Sequence, residues 1–151
     1  MAERSDAGLA FRVVEFGSGS YEDAWQLREE LLRKPLGMRF TLETREADRE
    51  KMHCVAEADD HVVAVVLVGT NEDGTAQAGS VAVQEDWQGK GVGLTLMKFA
   101  EQVAADKGAY RMTLDARVNV LGFYRKLGYR ECGPEFEKVG IPHRRMEKLL
   151  G

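Results

Sequence analysis

Apolar positions fall into short runs separated by turn residues, and the period of each run predicts an element. Residues 11–16 read as a strand that Gly17, Ser18 and Gly19 interrupt. Ser20, with an acid three residues on at Asp23, is expected to cap a helix through Trp25, Leu27, Leu31 and Leu32 that Pro35 stops. Residues 41–51 are strongly charged and read as a second, poorly buried helix. Strands follow over 52–58 and 62–68, joined by a turn at Asp59, Asp60 and His61. Asn71, Glu72, Asp73 and Gly74 make another turn before a strand over 76–83.

The period then changes from two to nearly four. Val92, Leu96, Phe99 and Val103 recur at helical spacing, with Lys98, Glu101, Gln102 and Asp106 on the rest of the wheel, and Gly108 suits the left-handed position after the last turn. Residues 111–115 read as a strand. Asn119 is the expected N-cap of a helix carrying Phe123, Tyr124 and Leu127, which Gly128 ends. Residues 129–132 and 143–149 supply closing strands around Gly140, Ile141 and Pro142. This order predicts an α+β chain, a mixed sheet with helices packed on it.

Composition narrows the class without changing that picture. The 151 residues suit one domain, placed over 8–150, and 44% hydrophobic with 30% charged residues is a globular balance. Lys and Arg number 21 against 25 Asp and Glu, a formal charge of −4, which argues against a nucleic-acid partner. Any polyanion must therefore be held by local donors. Cys54 and Cys132 form no CxxC pair, and with His53, His61 and His143 scattered, no zinc spacing arises, so no metal is expected. The first six residues lack the apolar core of a secretory signal, and the apolar run at 62–68 is too short to cross a bilayer. A cytoplasmic protein with no membrane partner is expected.

The chemistry concentrates where strand 76–83 gives way to a helix. Gly89, Gly91 and Gly93 alternate there, between the polar Gln88 and Lys90. Glycine lets backbone N–H groups approach a bulky anion, and the first turn of a helix leaves N–H groups unpaired beside a partial positive charge. The alternative is a glycine turn that only links two elements; the spacing favours a phosphate. A P-loop would need Ser or Thr after Lys90, where Gly91 stands. A dinucleotide fingerprint would need glycine where Leu94 or Leu96 stands.

The run from Val81 through Gln88 to Gly93 resembles the coenzyme A signature of GNAT-type acetyltransferases, (Gln/Arg)-x-x-Gly-x-(Gly/Ala), with Gln88, Gly91 and Gly93 at its defined positions. Asp115, Ala116, Arg117, Val118 and Asn119, then Phe123 to Tyr129, resemble the family's second signature. The tail over 136–143 resembles the ElaA-like subgroup. The resemblance covers residues 76 to the end. It implies a central mixed, mostly antiparallel sheet flanked by helices, with splayed strands forming an acetyl-CoA cleft between 81–83 and 111–115. It further implies that Val81 and Val83 pair with the pantetheine arm, that Gln88, Gly89, Lys90, Gly91, Val92 and Gly93 wrap the pyrophosphate, and that Asn119 contacts the cofactor. Tyr124 would face the thioester sulfur.

Direct transfer needs a neutral amine, donors for the developing oxyanion and a proton for the departing thiolate. The backbone near Val83 can donate to the oxyanion. Tyr124, protonated at neutral pH, can supply the proton; its other reading is a core aromatic beside Phe123. For the base, Glu57 and His143 are the candidates, Glu57 reading first as a solvent-facing strand residue, as do Glu43 and Glu46 on a helix. Arg117 could bind a substrate carboxylate, although a surface salt bridge is the readier expectation. Cys54 and Cys132 have no histidine arranged beside them and read as inert thiols. The acceptor is a small-molecule or peptide amine, and the resemblance leaves room for a homodimer. Two rivals stand beside this reading: a module that senses acyl-CoA without turnover, and an acyltransferase with a longer acyl group or a hydroxyl acceptor.

Overall fold

The continuous apolar run 62–68 becomes the centre of the sheet, a strand covered on both faces. The structure, a computed structural model, describes residues 2–4 and 8–151. In it, strand β4 (His61–Thr70) has α1 (Gly19–Leu32) on one side and α3 (Val92–Asp106) on the other. Val65 and Leu67 join one core with Tyr21 and Ala24, while Ala64, Val66 and Val68 join the other with Leu96, Met97 and Phe99. A strand covered on both faces loses the polar alternation of a half-exposed one.

Among the described residues, nine strands form one sheet. The remaining strands are β1 (Ala2–Arg4), β2 (Ala10–Val14), β3 (Met52–Ala58), β5 (Thr75–Val83), β6 (Arg111–Arg117), β7 (Arg130–Glu131), β8 (Phe136–Lys138) and β9 (Ile141–Leu149). Their order is β1-β2-β3-β4-β5-β6-β9-β7, with β8 also on β9, and only β5–β6 is parallel. The helical layer adds α2 (Leu42–Asp48) and α4 (Leu121–Lys126). This is the mixed, mostly antiparallel sheet flanked by helices that the periodicity and the resemblance imply.

Several local expectations move. Ser18, not Ser20, caps α1, accepting from the Tyr21 amide, and the Ser20 hydroxyl instead donates to Glu57 (2.8 Å). Asn119 caps nothing: it sits exposed in a 3₁₀ turn over Val118–Val120, and α4 begins after that turn without a side-chain cap. The turn before β4 takes two residues, Asp59 and Asp60, both at positive φ (50° and 64°), the geometry that lets a two-residue hairpin follow the strand twist. β7 is shorter than residues 129–132, and the exposed, mixed sequence of β8 carries no strand signal. Glu101, expected on the polar side of its helix, is buried; it accepts from the Tyr129 hydroxyl (2.8 Å) and from Lys148 (2.8 Å).

The first half holds a matching network under α1. Asp48 takes two bonds from Arg28 (2.7 and 3.3 Å) and one from the Tyr21 hydroxyl (2.7 Å), all buried. So the second helix, read as poorly buried, delivers its last acid to the interior. The His53 Nε2–H donates to the Asp48 carbonyl (2.8 Å), and its Nδ1 is left without a partner. Burial holds the His53 imidazole below its usual pKa, an effect that outweighs the bond to Asp48.

A candidate acetyl-transfer cleft

β5 and β6 pair only from Thr75↔Arg111 to Ala78↔Leu114. Beyond that point they part, and the cause lies in β5. Its register with β4 slips between Leu67↔Gly79 and Val65↔Ala82, and Ser80 takes a positive φ of 52°. An extra residue in one strand of a pair bends that strand away from its neighbour. The β6 side of the opening therefore runs from Leu114, the last residue paired with β5, through Asp115, Ala116 and Arg117, not over the whole of 111–115: Arg111, Met112 and Thr113 are closed against β5.

A cleft of about 760 Å³ opens at this fork. Val81, Arg117, Tyr124 and His143 line it, together with Arg28, Arg33 and Phe40 from the α1 side. Four sequence candidates from different parts of the chain thus meet on one cavity. Glu57 does not join them: its carboxylate is bound by Arg12 and Ser20 on β2 and α1, and although burial raises its pKa, those hydrogen bonds more than reverse the shift and hold it low. Asn119 lies outside the cleft wall, as do Glu43 and Glu46.

Tyr124 is 7% exposed, with its ring edge-on to Phe123 and Tyr129 at 5.0 and 6.0 Å. Burial pushes its phenol pKa up to about 12, so it keeps its proton through the neutral range. Tyr21 and Tyr129 donate their hydroxyls to Asp48 and Glu101. The Tyr124 hydroxyl has no protein partner among the described residues, and it is the one of the three that lines the cleft.

His143 stands on β9 directly across from Arg117 of β6, so the two share a face of the sheet. Its Nδ1 lies 2.7 Å from the Ile141 carbonyl, which can only accept. Nδ1 therefore carries the hydrogen, and a neutral ring keeps its lone pair on Nε2. Phe136 stacks on the ring at 6.0 Å, which explains how the exposed strand β8 serves the site.

The glycine segment lies at the mouth of α3. No backbone carbonyl among the described residues accepts from the amides of Gly89, Lys90, Gly91, Val92, Gly93 or Leu94; the Thr95 amide is the first to bond, to Gly91 (3.1 Å). Gly91 holds φ of 80°, and a Cβ there would project into open space, the side from which a ligand would come. Gly93 faces inward instead, where a Cβ would meet Phe123 and Val83 at 3.4 Å. Gln88 turns its Nε2–H to the Val83 carbonyl (2.9 Å), tying the loop to the end of β5, and Lys90 sits over Trp87 at 5.3 Å. Unpaired amides at a helix start with clear space above them suit a pyrophosphate.

Residues 29–150 match the family profile described as Acetyltransferase (GNAT) domain. The Bacillus subtilis (strain 168) protein named Uncharacterized N-acetyltransferase YjcF is 33% identical over 137 residues, covering 90% of this chain and 97% of that one. The chain belongs to the GNAT acetyltransferase family. Among solved structures, Escherichia coli ElaA superposes with a TM-score of 0.79 at 20% identity over 98% of this chain and 99% of that one. An aminoglycoside 6'-N-acetyltransferase complexed with coenzyme A gives 0.75 at 16% identity, over 93% and 96%. At these identities, the two structures speak for the fold.

Outside the cleft, burial pushes the Cys54 thiol pKa up to about 12, while Cys132 is exposed. A buried, protonated thiol is a poor nucleophile. Sequence reasoning missed Arg33 and Arg28 in the cleft wall. Arg28 lies on α1 and Arg33 at its end, and nothing local marks either.

Proposed function

We propose that this protein transfers an acetyl group from acetyl-coenzyme A to a primary amine by direct attack on the thioester. The observation that carries the reading is the Tyr124 hydroxyl, on a buried ring that lines the cleft beside the fork of β5 and β6, protonated and without a protein partner among the described residues. Acetyl-CoA supplies an acyl carbon already activated for attack. The amides of Gly89, Lys90, Gly91, Val92 and Gly93 are assigned to its pyrophosphate, Gln88 to bracing that loop, and Val81 and Val83 to the pantetheine arm. Asn119, exposed near the start of α4, is assigned to the cofactor's outer part.

The chemistry then divides between two side chains. His143 Nε2 takes the proton from the ammonium form of the acceptor, and Tyr124 gives its proton to the departing sulfur. Backbone N–H groups near Val83 are assigned to the developing oxyanion. Within the family, the resemblance of the tail over 136–143 supports assignment to the ElaA-like subgroup.

The test is release of free thiol from acetyl-CoA against a panel of primary amines, with acyl chain length varied. Thiol release that depends on the amine, and falls as the acyl chain lengthens, is the expected result. Tight CoA binding with no amine-dependent release from any acyl-CoA would leave the non-catalytic sensor standing instead.

A further inference from the structure

The wall of the cleft carries three arginines, and among the described residues only one of them meets a carboxylate. Arg28 is bound by Asp48. Arg33, at the end of α1, and Arg117, on β6, make no salt bridge among the described residues. Each donates one hydrogen bond, and both go to the same atom, the carbonyl oxygen of Leu32, at 3.0 Å from Arg33 and 3.4 Å from Arg117. Two guanidinium groups from separate elements, one of them 85 residues from Leu32 in the chain, thus converge on one neutral oxygen. Phe40 helps to hold Arg33 in place, its ring 5.1 Å from that guanidinium and 4.9 Å from the guanidinium of Arg28.

That oxygen belongs to the last turn of α1, so compensation of the helix dipole has to be weighed first. A helix C-terminus offers the equivalent of about −0.5 charge, against two full positive charges. Roughly three quarters of the charge is left over, and each guanidinium has five N–H donors of which one is engaged. The other acids of the cleft wall do not supply the balance. Asp48 is held by Arg28 and Tyr21, Asp115 by Arg145 and Lys138, and Glu50 is exposed and pairs with neither arginine. Burial, and then the charges of Arg117 and Arg28, pull Arg33 below the usual arginine pKa. Holding them together costs free energy that an anion between them would return.

We propose that Arg33 and Arg117 form an anion subsite for a carboxylate on the acceptor, so that the acceptor is an amino acid-like amine and not a plain alkylamine. This rests on the acetyl-transfer reading above and adds the substrate class to it. The register supplies the link to the chemistry: Arg117 lies directly across from His143, so a carboxylate on Arg117 leaves the amine of a short acceptor beside the proposed base. Planar guanidinium forks suit a carboxylate, which they grip through paired N–H groups.

The experiment compares β-alanine, γ-aminobutyrate and δ-aminovalerate with n-alkylamines of the same chain length as acetyl acceptors for the wild-type protein. Calorimetric binding of glutarate is measured alongside, in the wild type and in Arg33→Gln and Arg117→Gln. A charged hydrogen-bonded pair implies that at least one amino acid should exceed its alkylamine in kcat/KM by at least about tenfold. Both substitutions should remove that preference through KM and abolish glutarate binding, with CoA affinity unchanged. Equal kcat/KM within every pair, or a preference and glutarate binding that survive both substitutions, would overturn the proposal. If no amine is acetylated yet glutarate binds in an arginine-dependent way, the subsite stands and the acetyl-transfer reading falls. If no amine is acetylated and glutarate does not bind, the subsite falls as well.

Discussion

The two anion sites proposed for this protein are built from opposite materials. At the mouth of α3, the donors are backbone amides from a continuous run, Gly89 to Leu94, and the side chains matter chiefly by their absence. At the end of α1, the donors are two side chains that the fold brings together from Arg33 and Arg117. A backbone site tolerates any side chain that leaves its conformation and its open space alone, and it is damaged by bulk or negative charge. A side-chain site fails when either partner loses its charge, although the backbone around it is untouched. Tyr124 and His143 line the cavity that the arginine pair shares, so the proposed chemistry and the proposed side-chain site lie on one cavity.

The largest test of this division asks whether Tyr124 does only chemistry. Tyr124→Phe removes one oxygen that has no protein partner, so the fold and both anion sites should survive. Loss of a general acid should lower kcat by about 10²–10⁴-fold. Steady-state kinetics with calorimetry for CoA would check it; a kcat within about twofold of the parent, well under 1 kcal/mol, would return Tyr124 to a packing role.

Arg28 is the internal control for its two unpaired neighbours. Asp48→Ala strips Arg28 of its carboxylate and leaves a third uncompensated cation, at side-chain exposures of 3% and 2% for the pair. Breaking a buried pair in this way costs about 3–5 kcal/mol. Urea unfolding would read it, whereas Arg117→Gln should leave stability nearly unchanged. Equal stability losses would mean that the protein's own contacts engage Arg117 as fully as they engage Arg28.

A smaller effect is expected at the backbone site. Gly91→Glu places bulk and negative charge where a Cβ now has open space, at a φ of 80° that glycine tolerates best. CoA affinity should fall at least about tenfold, or about 1.4 kcal/mol. Glutarate binding should persist, and a joint loss of both would mean that the two sites are not separate.

The smallest effect is the pH response of the network under α1. The His53 pKa is held below its unfolded value, so on acidification the unfolded chain binds a proton that the native ring resists. Stability should be complete above about pH 6.5, the ordinary histidine value, and decline as pH falls below it towards the lower native value. His53→Gln should flatten that decline in denaturant titrations between about pH 7.5 and 5.5, before the carboxylates titrate.

What the sequence determined by itself was whatever depends on neighbours along the chain. Hydrophobic period placed β3, β4, β5 and α3 nearly to the residue, because burial on one face or both writes itself into spacing. The glycine run was legible for the same reason: its amides are consecutive, and a backbone site needs only local conformation. Tyr124 and His143 could be named as candidates, but not shown to share a cavity.

Tertiary structure alone decided that cavity. The fork depends on a register slip between β4 and β5 and on Ser80 at positive φ; Gly79 beside it is a local sign of a bulge, but it does not say that β5 parts from β6 there. Glu57 read as a base candidate until the sheet set it against Arg12 and Ser20. Glu101 sat on the polar side of its helical wheel, yet Tyr129 and Lys148 came to it from other elements and made burial tolerable. Arg117 read more readily as one half of a surface salt bridge than as a binder of a substrate carboxylate, and only folding set it beside Arg33 with no acid between them among the described residues. Charge in a sequence is a count; whether a charge is answered depends on which distant residue arrives next to it, and that is settled by packing.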